Sequence, residues 1–294
     1  MTGTWDALTR LAKEPPFRIV TRALLGRMNV SVRTRALWEL SARPAYLVCL
    51  LAAADQARRQ ASPRISVIEF GVASGNGLVS LQEDAAAVER ETGVEIAVYG
   101  FDMGGAGLPR FIGDHRDHPD WWRPGDFPMD EAALRARLTS RTTLVLGSVS
   151  ETVPTFFSRF RPAPIGFISF DLDLYSSTRD ALRILTCPGA SMLWHVPLYF
   201  DDIDFMVNHK FAGELLAIDR FNDETANVKI DRWYGIKDGR PFPERSFLDK
   251  LYVAHDVDAV SRIVLDRDHR HLPLDVAAAV RNPAIRQSVH GLAR

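Results

Sequence analysis

The sequence predicts an α/β fold, a doubly wound and mostly parallel seven-stranded sheet with a helical N-terminal extension. The first observation lies at residues 66–81, where an apolar run with Val67, Ile68 and Phe70 leads into a glycine-rich turn and then a helical pattern. The second is that strand and helix patterns alternate from there to about residue 255. Such alternation is typical of parallel sheets that are covered by helices on both faces.

The composition is that of an ordinary globular protein, with 46% hydrophobic, 10% aromatic and 25% charged residues among 294. A formal net charge of −1 gives no general attraction to nucleic acid or to an anionic membrane. The most apolar helix candidate, residues 45–54, is far shorter than the roughly 20 residues of a membrane span. Cys49 and Cys187 are the only cysteines. We therefore expect a cytoplasmic protein without nucleic-acid or membrane partners, disulfides or cysteine-based zinc.

The first 62 residues are predicted to be a helical segment that is broken at Pro15-Pro16 and Pro44. Apolar side chains between residues 38 and 54 form a face that must pack on the main domain or on a partner subunit. Because this face is larger than a lone surface helix needs, we expect a homo-oligomer that uses the N-terminal segment. The remaining chain is divided into a catalytic domain at residues 63–274 and a tail at residues 275–294.

The elements of the main domain follow from local patterns. After the first strand, strands are predicted at residues 96–102, 142–146, 165–172, within 191–200, at 230–236 and at 250–255. Helices are predicted at residues 78–91, 130–138 (with Asp130 as N-cap), 152–160, 177–185 and 205–221. The last two strands lack a clear crossover helix between them, which predicts an antiparallel edge of the sheet.

A long connection at residues 104–128 separates the second and third strands. Connections of this length in compact domains are commonly functional lids or disordered segments. Its acidic and histidine residues suggest a metal site, but their irregular spacing favours a solvated or substrate-covering loop; they are Asp114, His115, Asp117, His118 and Asp120.

Polar residues follow four of the predicted strands, at the edge where doubly wound sheets bind ligands. They are Glu69 with its glycine turn, Asp102, Gly147-Ser148, and Asp171 with Asp173. Asp102 suits hydrogen bonds from ribose hydroxyls, although it could instead cap a turn, as Asp171 could cap the following helix. The glycines, for their part, could merely form a tight turn.

Asp201 and Asp202 end the fifth strand as an adjacent pair of carboxylates. Such a pair destabilises the fold unless the side chains face apart or share a cation. With Asp171 they form an all-oxygen set that suits Mg²⁺ or Ca²⁺ rather than zinc. A surface acidic turn, with Asp204 capping a helix, is the alternative interpretation.

At this point several motifs resemble the class I S-adenosylmethionine-dependent methyltransferases, nearest to the macrocin and mycinamicin sugar O-methyltransferases. The resemblance covers about residues 66–205. The motifs are Glu69-x-Gly71-Val72-x-x-Gly75, Gly100-Phe101-Asp102 with Gly107-Leu108-Pro109, Asp171-Leu172-Asp173-Leu174-Tyr175, and Tyr199-Phe200-Asp201-Asp202.

The resemblance implies a Rossmann-like methyltransferase fold that binds S-adenosylmethionine and a small-molecule hydroxyl acceptor. The implied cofactor residues are Glu69, Gly71, Ala73, Ser74 and Gly75 around the methionine end, Asp102 at the ribose, Ser148 at the adenine side, and Asp171. The implied ligands of Mg²⁺ or a similar divalent cation are Asp171, Asp201 and Asp202. Asp171, Asp173, or His195 if it points inward, would remove the acceptor proton.

The sequence departs from the family pattern around the predicted acceptor site. Leu172 stands in place of the usual glycine, Ser176 in place of the usual glutamate, and residues 194–197 interrupt the apolar strand before the Asp-Asp pair. The acceptor therefore stays open between a sugar, another natural-product hydroxyl and a catechol-like diol.

Two other functions are alternatives to methyl transfer. A nicotinamide-dependent oxidoreductase needs a third glycine where Ser80 stands, and it gives no role to Glu69 or to the Asp-Asp pair. A non-catalytic binding protein would have no reason to keep like charges together.

Overall fold

The computed structural model describes residues 11–205 and 208–263. Its strands form one sheet in the order β3-β2-β1-β4-β5-β7-β6. The strands are β1 Arg64–Phe70, β2 Glu95–Asp102, β3 Thr142–Leu146, β4 Ile165–Phe170, β5 His195–Phe200, β6 Val228–Arg232 and β7 Leu251–Asp256. The first five run parallel, and β7 lies antiparallel to both β5 and β6. The predicted α/β fold, its strand count and its antiparallel edge are confirmed.

Helices cover the sheet and connect its strands. The described helices are α1 Phe17–Leu25, α2 Val32–Leu37, α3 Pro44–Arg59, α4 Asn76–Thr92, α5 Glu131–Arg135, α6 Val149–Phe160, α7 Tyr175–Leu182, α8 Gly213–Glu224 and α9 Val257–Ser261. Asp130 is the N-cap of α5, as predicted, because its carboxylate accepts a hydrogen bond from the backbone N–H of Ala133. Within the described residues, no helix combines the length and the apolar character that crossing a bilayer requires.

A row of phenylalanines fills the core beneath the carboxyl ends of four strands. Phe70, Phe101, Phe170 and Phe200 are register partners along β2-β1-β4-β5. Their ring centroids lie 4.6, 5.5 and 4.7 Å apart in that order, and all four are fully buried. This stacked row holds the strand ends level, so the residues that follow each strand emerge at a common edge.

The N-terminal segment packs on the domain that it precedes. The predicted break at Pro44 lies between α2 and α3, and Pro44 occupies the first turn of α3, where its missing N–H costs nothing. Tyr46, Leu47 and Leu50 are fully buried, and α3 packs against β4, β5 and α4. The apolar face from which we expected an oligomer is therefore covered by the chain's own sheet, so it gives no support to an oligomer.

The helix predicted at residues 205–221 starts much later, at Gly213. Gly213 has a φ of +55°, which the interior of a right-handed helix excludes. The Asn208 side chain also donates a hydrogen bond to the carbonyl oxygen of Asp202, at 2.6 Å. The predicted tail at residues 275–294 lies outside the described residues.

Candidate active site

A cavity opens beyond the carboxyl ends of β1, β2 and β4, at the edge that the sequence predicts. Most predicted site residues line it: Glu69, Gly71, Ala73, Ser74, Asp102, Ser148, Asp171, Asp173 and Asp202. Gly75, the N-cap of α4, does not line the cavity. Asp201 and His195 do not line this cavity.

The glycine loop has the shape that only glycine allows. Gly71 has a φ of +82°, and a Cβ atom there would lie 1.7 Å from the backbone oxygen of Asp171. Gly75 has a φ of +80°, and its Cβ would lie 2.1 Å from the Leu134 side chain. The glycines therefore do more than permit a tight turn, since Gly71 allows β1 and β4 to end side by side and Gly75 allows α5 to pack closely on the loop.

Glu69 is a buried carboxylate with one free oxygen. Its Oε1 accepts a hydrogen bond from the Tyr46 hydroxyl at 2.7 Å, and that hydroxyl accepts one from Ser169 at 2.9 Å. The other oxygen, Oε2, is buried and has no hydrogen-bond partner. Burial raises the pKa of Glu69 to about 8, against the opposing effect of the Tyr46 hydrogen bond. A cationic ligand group would satisfy Oε2 and stabilise the ionised form.

Asp102 fixes the loops on both sides of the cavity. One carboxylate oxygen accepts hydrogen bonds from the backbone N–H groups of Val72 and Ala73, each at 2.8 Å. The other accepts one from Gly104 at 2.6 Å. The turn-capping alternative thus describes part of what Asp102 does. Two carboxylate oxygens offer about four acceptor sites in all, so capacity for a ligand hydroxyl is left.

Four buried or half-buried carboxyl groups crowd the ends of β4 and β5. Burial and the charges of Asp202 and Asp201 raise the pKa of Asp171 to about 8. Burial and the charge of Asp171 raise the pKa of Asp173 to about 7, and burial and Asp173 raise that of Asp202 to about 8. Glu214, at the start of α8, is completely buried, and its pKa also lies well above the ordinary value because of burial and Asp202. The cluster therefore holds protons that isolated carboxylates would lose.

Backbone hydrogen bonds hold this cluster in place. The Glu214 carboxylate accepts from the N–H of Asp202 at 3.0 Å, and Asp202 accepts from the N–H of Asp173 at 3.0 Å. Asp173 has a φ of +60°, which is unusual for a residue with a side chain. Leu172 itself is not in the left-handed region, so its replacement of the family's glycine imposes no backbone strain.

The predicted metal-binding set assembles only in part. The Asp201 carboxylate accepts a hydrogen bond from the Tyr199 hydroxyl at 2.5 Å and lies 3.3 Å from the Lys250 ammonium, which also pairs with Asp204. Across the described parts of the chain, no three His, Cys, Asp or Glu side chains are arranged to hold a metal ion. Asp171 and Asp202 both line the cavity, whereas the Asp201 carboxylate is engaged by Tyr199 and Lys250.

His195 lies at the amino end of β5, whereas the cavity lies beyond the carboxyl ends of the parallel strands. It is the first residue of β5, so roughly 16 Å of strand separates it from the Asp201-Asp202 end. Its Nδ1 lies 3.0 Å from the Nδ1 of His255, in a separate cavity near Trp233 and Tyr234. The structure thus removes His195 from the candidates for the proton acceptor.

The long connection folds over the cavity as a lid. Leu108, Pro109, Trp122 and Phe127 line the cavity from this segment. Asp117 is buried and accepts hydrogen bonds from the backbone N–H of Ser176 at 2.8 Å, from its hydroxyl at 2.9 Å and from the N–H of Ile112 at 2.9 Å. His118 is buried as well. Neither side chain is solvated: Asp117 docks the lid on α7, whereas the His118 ring packs against Phe205 and His209.

Four residues of the site were not found from the sequence. In the sequence, Tyr46 is one of the apolar residues of its helix, and Arg43 belongs to no motif. Glu214 was placed in the middle of a helix that in fact begins beside it, and Lys250 was counted as the start of a strand. A glutamate in the first turn of a helix is a recognisable signal, but only once the start of the helix is known.

Three comparisons with known proteins place this fold among solved structures. No family model matches the sequence, and no curated protein matches it. The structure is similar to that of CalS11, a calicheamicin methyltransferase, with 23% identity and a TM-score of 0.47 over 76% of this chain and 90% of CalS11. It is also similar to the O-methyltransferase TomG from Streptomyces achromogenes in complex with S-adenosylmethionine, with 16% identity and a TM-score of 0.41 over 81% and 94% of the two chains.

A third similar structure is MycE, a methyltransferase of the mycinamycin pathway in complex with Mg, S-adenosylhomocysteine and mycinamycin VI. The identity is 10% and the TM-score 0.39 over 68% of this chain, which spans only 47% of the MycE chain. All three are methyltransferases, the class that the sequence motifs resemble. With identities below 25% and TM-scores below 0.5, these similarities do not establish a function for this chain.

Proposed function

We propose that this protein transfers the methyl group of S-adenosylmethionine to a hydroxyl of a small molecule. The observation that carries the proposal is Glu69, a buried carboxylate with one unpartnered oxygen beside a glycine loop. The α-ammonium group of the methionine part is a donor of the required charge. The hydroxyl acceptor is inferred from the motifs that resemble the sugar O-methyltransferases.

The position of Glu69 also argues against a dinucleotide cofactor. A Cβ atom on Gly77 would lie 2.0 Å from Oε1 of Glu69, so this carboxylate sits against the first turn of α4. In dinucleotide-binding folds that position holds the pyrophosphate, which is attracted by the helix dipole and by free backbone N–H groups. A carboxylate there repels a pyrophosphate and attracts a cation. The nicotinamide-dependent alternative is thereby disfavoured.

The remaining cofactor residues would bind and orient the donor. Asp102 would accept a hydrogen bond from a ribose hydroxyl with its spare acceptor capacity, and Ser148, at the start of α6, would border the adenine. The bound cofactor supplies an already activated methyl group. The protein then has to align an acceptor oxygen with it and to accept a proton.

The acidic cluster is suited to accepting that proton. Asp173 has a pKa of about 7, raised chiefly by burial, and it lines the cavity beside Asp171. A general base is most effective when its pKa is near the working pH. Asp173 is the favoured base, with Asp171 as the second candidate.

A divalent cation remains part of the proposal, with Asp171 and Asp202 as its protein ligands. Such a cation would supply charge neutralisation within the cluster and polarise the acceptor hydroxyl. Calorimetric titration of the chelator-treated protein with MgCl₂ tests this directly. Saturable binding that Asp202→Asn weakens at least about tenfold supports the metal, since a charged ligand is lost. No binding at millimolar Mg²⁺ contradicts it.

The cofactor assignment is tested by calorimetry with S-adenosylmethionine, S-adenosylhomocysteine and NAD⁺. We expect the first two to bind and NAD⁺ not to bind. Glu69→Gln should lower the affinity for S-adenosylmethionine and S-adenosylhomocysteine by about tenfold or more, because it removes a buried charge-assisted hydrogen bond. Glu83→Gln, an exposed glutamate on α4, is the matched control and should bind like the parent protein. Binding of NAD⁺ alone would overturn the proposal.

Turnover distinguishes an enzyme from a binding protein that merely keeps the fold. The parent protein is incubated with S-adenosylmethionine and a panel of sugar, catechol and other natural-product hydroxyl compounds. Formation of S-adenosylhomocysteine with at least one acceptor, and its loss in Asp173→Asn, supports catalysis. Tight cofactor binding without turnover on any acceptor of the panel favours the non-catalytic alternative.

A further inference from the structure

Arg43 places a positive charge in the candidate active site. It precedes α3 as its N-cap, is half-buried, and lines the cavity together with Glu69 and Asp171. Within the described residues, its guanidinium group donates no hydrogen bond and forms no ion pair. Its contact is with the ring of Tyr46, whose centroid lies 5.6 Å from the guanidinium carbon. Half-buried arginines normally bind a carboxylate or phosphate, so this one is available for a ligand.

The same helix turn also positions Glu69. Tyr46 lies one turn after Arg43, and its hydroxyl donates the 2.7 Å hydrogen bond to Oε1 of Glu69. Tyr46 therefore carries the guanidinium group on its ring and fixes the carboxylate with its hydroxyl. A free cation and a free carboxylate oxygen are thus held on the two sides of one rigid, fully buried side chain.

This pairing of charges fits the amino-acid end of a ligand. An α-amino acid carries an ammonium and a carboxylate on the same carbon, and the ammonium has a partner in Glu69. The carboxylate would be repelled by the ionised Glu69 unless a cation neutralised it. Of the other arginines that line the cavity, Arg179 pairs with Asp180 and Arg110 is exposed on the lid.

We propose that Arg43 binds the α-carboxylate of the methionine part of S-adenosylmethionine, an inference that rests on the proposed cofactor. The N-terminal segment then contributes directly to the cofactor site, through Arg43 as a contact and Tyr46 as a positioning residue. A guanidinium group suits this role because it can donate two parallel hydrogen bonds to one carboxylate.

The test compares ligands with and without the amino-acid end. Calorimetry measures the binding of S-adenosylhomocysteine and of 5′-methylthioadenosine, which has the same nucleoside but neither the ammonium nor the carboxylate. Arg43→Gln should lower the affinity for S-adenosylhomocysteine by about ten- to a hundredfold, as expected for a lost charge-assisted pair. The affinity for 5′-methylthioadenosine should stay within about twofold of the parent value. The affinity of Arg43→Lys for S-adenosylhomocysteine should lie between those of the parent and Arg43→Gln. Arg58→Gln, an exposed arginine on the same helix, should change neither affinity.

A measurement on the parent protein makes the test independent of variant folding. Decarboxylated S-adenosylmethionine should bind the parent about as weakly as S-adenosylmethionine binds Arg43→Gln. If the parent binds neither S-adenosylmethionine nor S-adenosylhomocysteine, the proposed cofactor itself is wrong. If the parent binds them but tolerates decarboxylation, or if Arg43→Gln weakens both probes equally, the cofactor stands and the role of Arg43 is overturned.

Discussion

At the scale of single residues, the protonation state of Glu69 is the feature that binding should reveal. Burial raises its pKa to about 8, so the carboxyl group is mostly protonated at pH 7 in the empty protein. A ligand ammonium beside Oε2 favours the ionised form and lowers this pKa. Binding at pH 7 must therefore expel a proton, and affinity must rise as the pH increases towards about 8.

We predict that binding of S-adenosylhomocysteine at pH 7 releases close to one proton. Calorimetry in buffers with different ionisation enthalpies measures this number directly. In Glu69→Gln the release should disappear, because a glutamine has no proton to lose. Equal enthalpies in all buffers for the parent protein would contradict a protonated Glu69 that ionises on binding.

The acidic cluster makes a second residue-scale prediction, for stability without metal. Asp202 has a folded-state pKa of about 8, raised by burial and by Asp173, against an ordinary value of 3.8. A carboxyl group with a raised pKa stabilises the fold below its unfolded-state pKa, and this contribution is lost as the pH rises towards 8. In the presence of EDTA, Asp202→Asn should therefore gain in melting temperature relative to the parent as the pH rises from 5 to 8.

Differential scanning calorimetry across that range checks the difference between variant and parent. Asparagine can still accept the hydrogen bond from the N–H of Asp173, so the comparison isolates the charge. Asp223→Asn, an exposed carboxylate on α8, serves as the control and should give a difference that does not change with pH. A difference between Asp202→Asn and the parent that stays constant from pH 5 to 8 would show that Asp202 is not held protonated.

At the scale of elements, one buried carboxylate joins the lid to α7. Asp117 accepts three hydrogen bonds, two from backbone N–H groups and one from the Ser176 hydroxyl. Ser176 replaces the glutamate of the family pattern, and in this chain it holds the lid to α7. The departure in sequence is therefore matched by a hydrogen-bonded contact with the lid.

Asp117→Ala should loosen the lid without unfolding the sheet. Each buried N–H that loses its acceptor costs about 1–3 kcal/mol, so the docked state of the lid is weakened. Hydrogen exchange at residues 104–128 should accelerate at least about tenfold, while exchange in β1 and β4 stays unchanged. Asp120→Ala, an exposed residue of the same lid, is the control. Unchanged exchange in Asp117→Ala would mean that other contacts hold the lid.

The elements also indicate how far the sequence determines the structure. The sequence predicts strands such as β3 and β4 closely, because short runs of β-branched, aromatic and other apolar residues stand between turn signals. The start of α8 was missed because Gly213 reads as a tolerated helix residue, whereas its positive φ is imposed by the packing around it.

Most predicted residues that line the cavity lie at or just after the carboxyl ends of strands. Glu69, Asp102 and Asp171 meet at one edge because parallel strands must end there. Arg43, Tyr46 and Glu214 come from helices whose rotation about their axes and whose packing partners are tertiary properties. Local patterns carry no signal for those properties, so these residues could not be assigned to the site.

At the scale of the whole molecule, α1 presents its apolar side outward. Ile19, Val20 and Leu24 are 64%, 57% and 55% exposed, and no residue of the helix is buried. Its arginines face the domain instead. Arg18 pairs with Glu244 at 2.7 Å, and Arg22 donates to the carbonyl oxygens of residues 38 and 39 at 3.2 and 2.9 Å. The helix is thus fixed with its apolar stripe in water, the reverse of an ordinary surface helix.

An apolar stripe held outward by polar anchors needs a cover, and we propose that a second copy of the chain supplies it. Phe17 and Met28 extend the stripe at 48% and 61% exposure, which makes it a contiguous patch. Two such helices can meet about a two-fold axis, because each presents the same apolar surface to the other. The expected homo-oligomer therefore rests on α1 and no longer on residues 38–54.

We predict a homodimer that depends on this stripe. Light scattering coupled to size-exclusion chromatography should give twice the mass of one chain at micromolar concentration. Val20→Glu places a charge in the centre of the stripe and should yield the monomer, because burying an unpaired carboxylate at the interface costs more than the contact gains. Tyr234→Glu, at a residue that is 75% exposed elsewhere on the domain, is the control and should remain dimeric. A parent protein that is monomeric at this concentration would exclude the dimer and leave the stripe to be covered by another part of the chain or by a different partner.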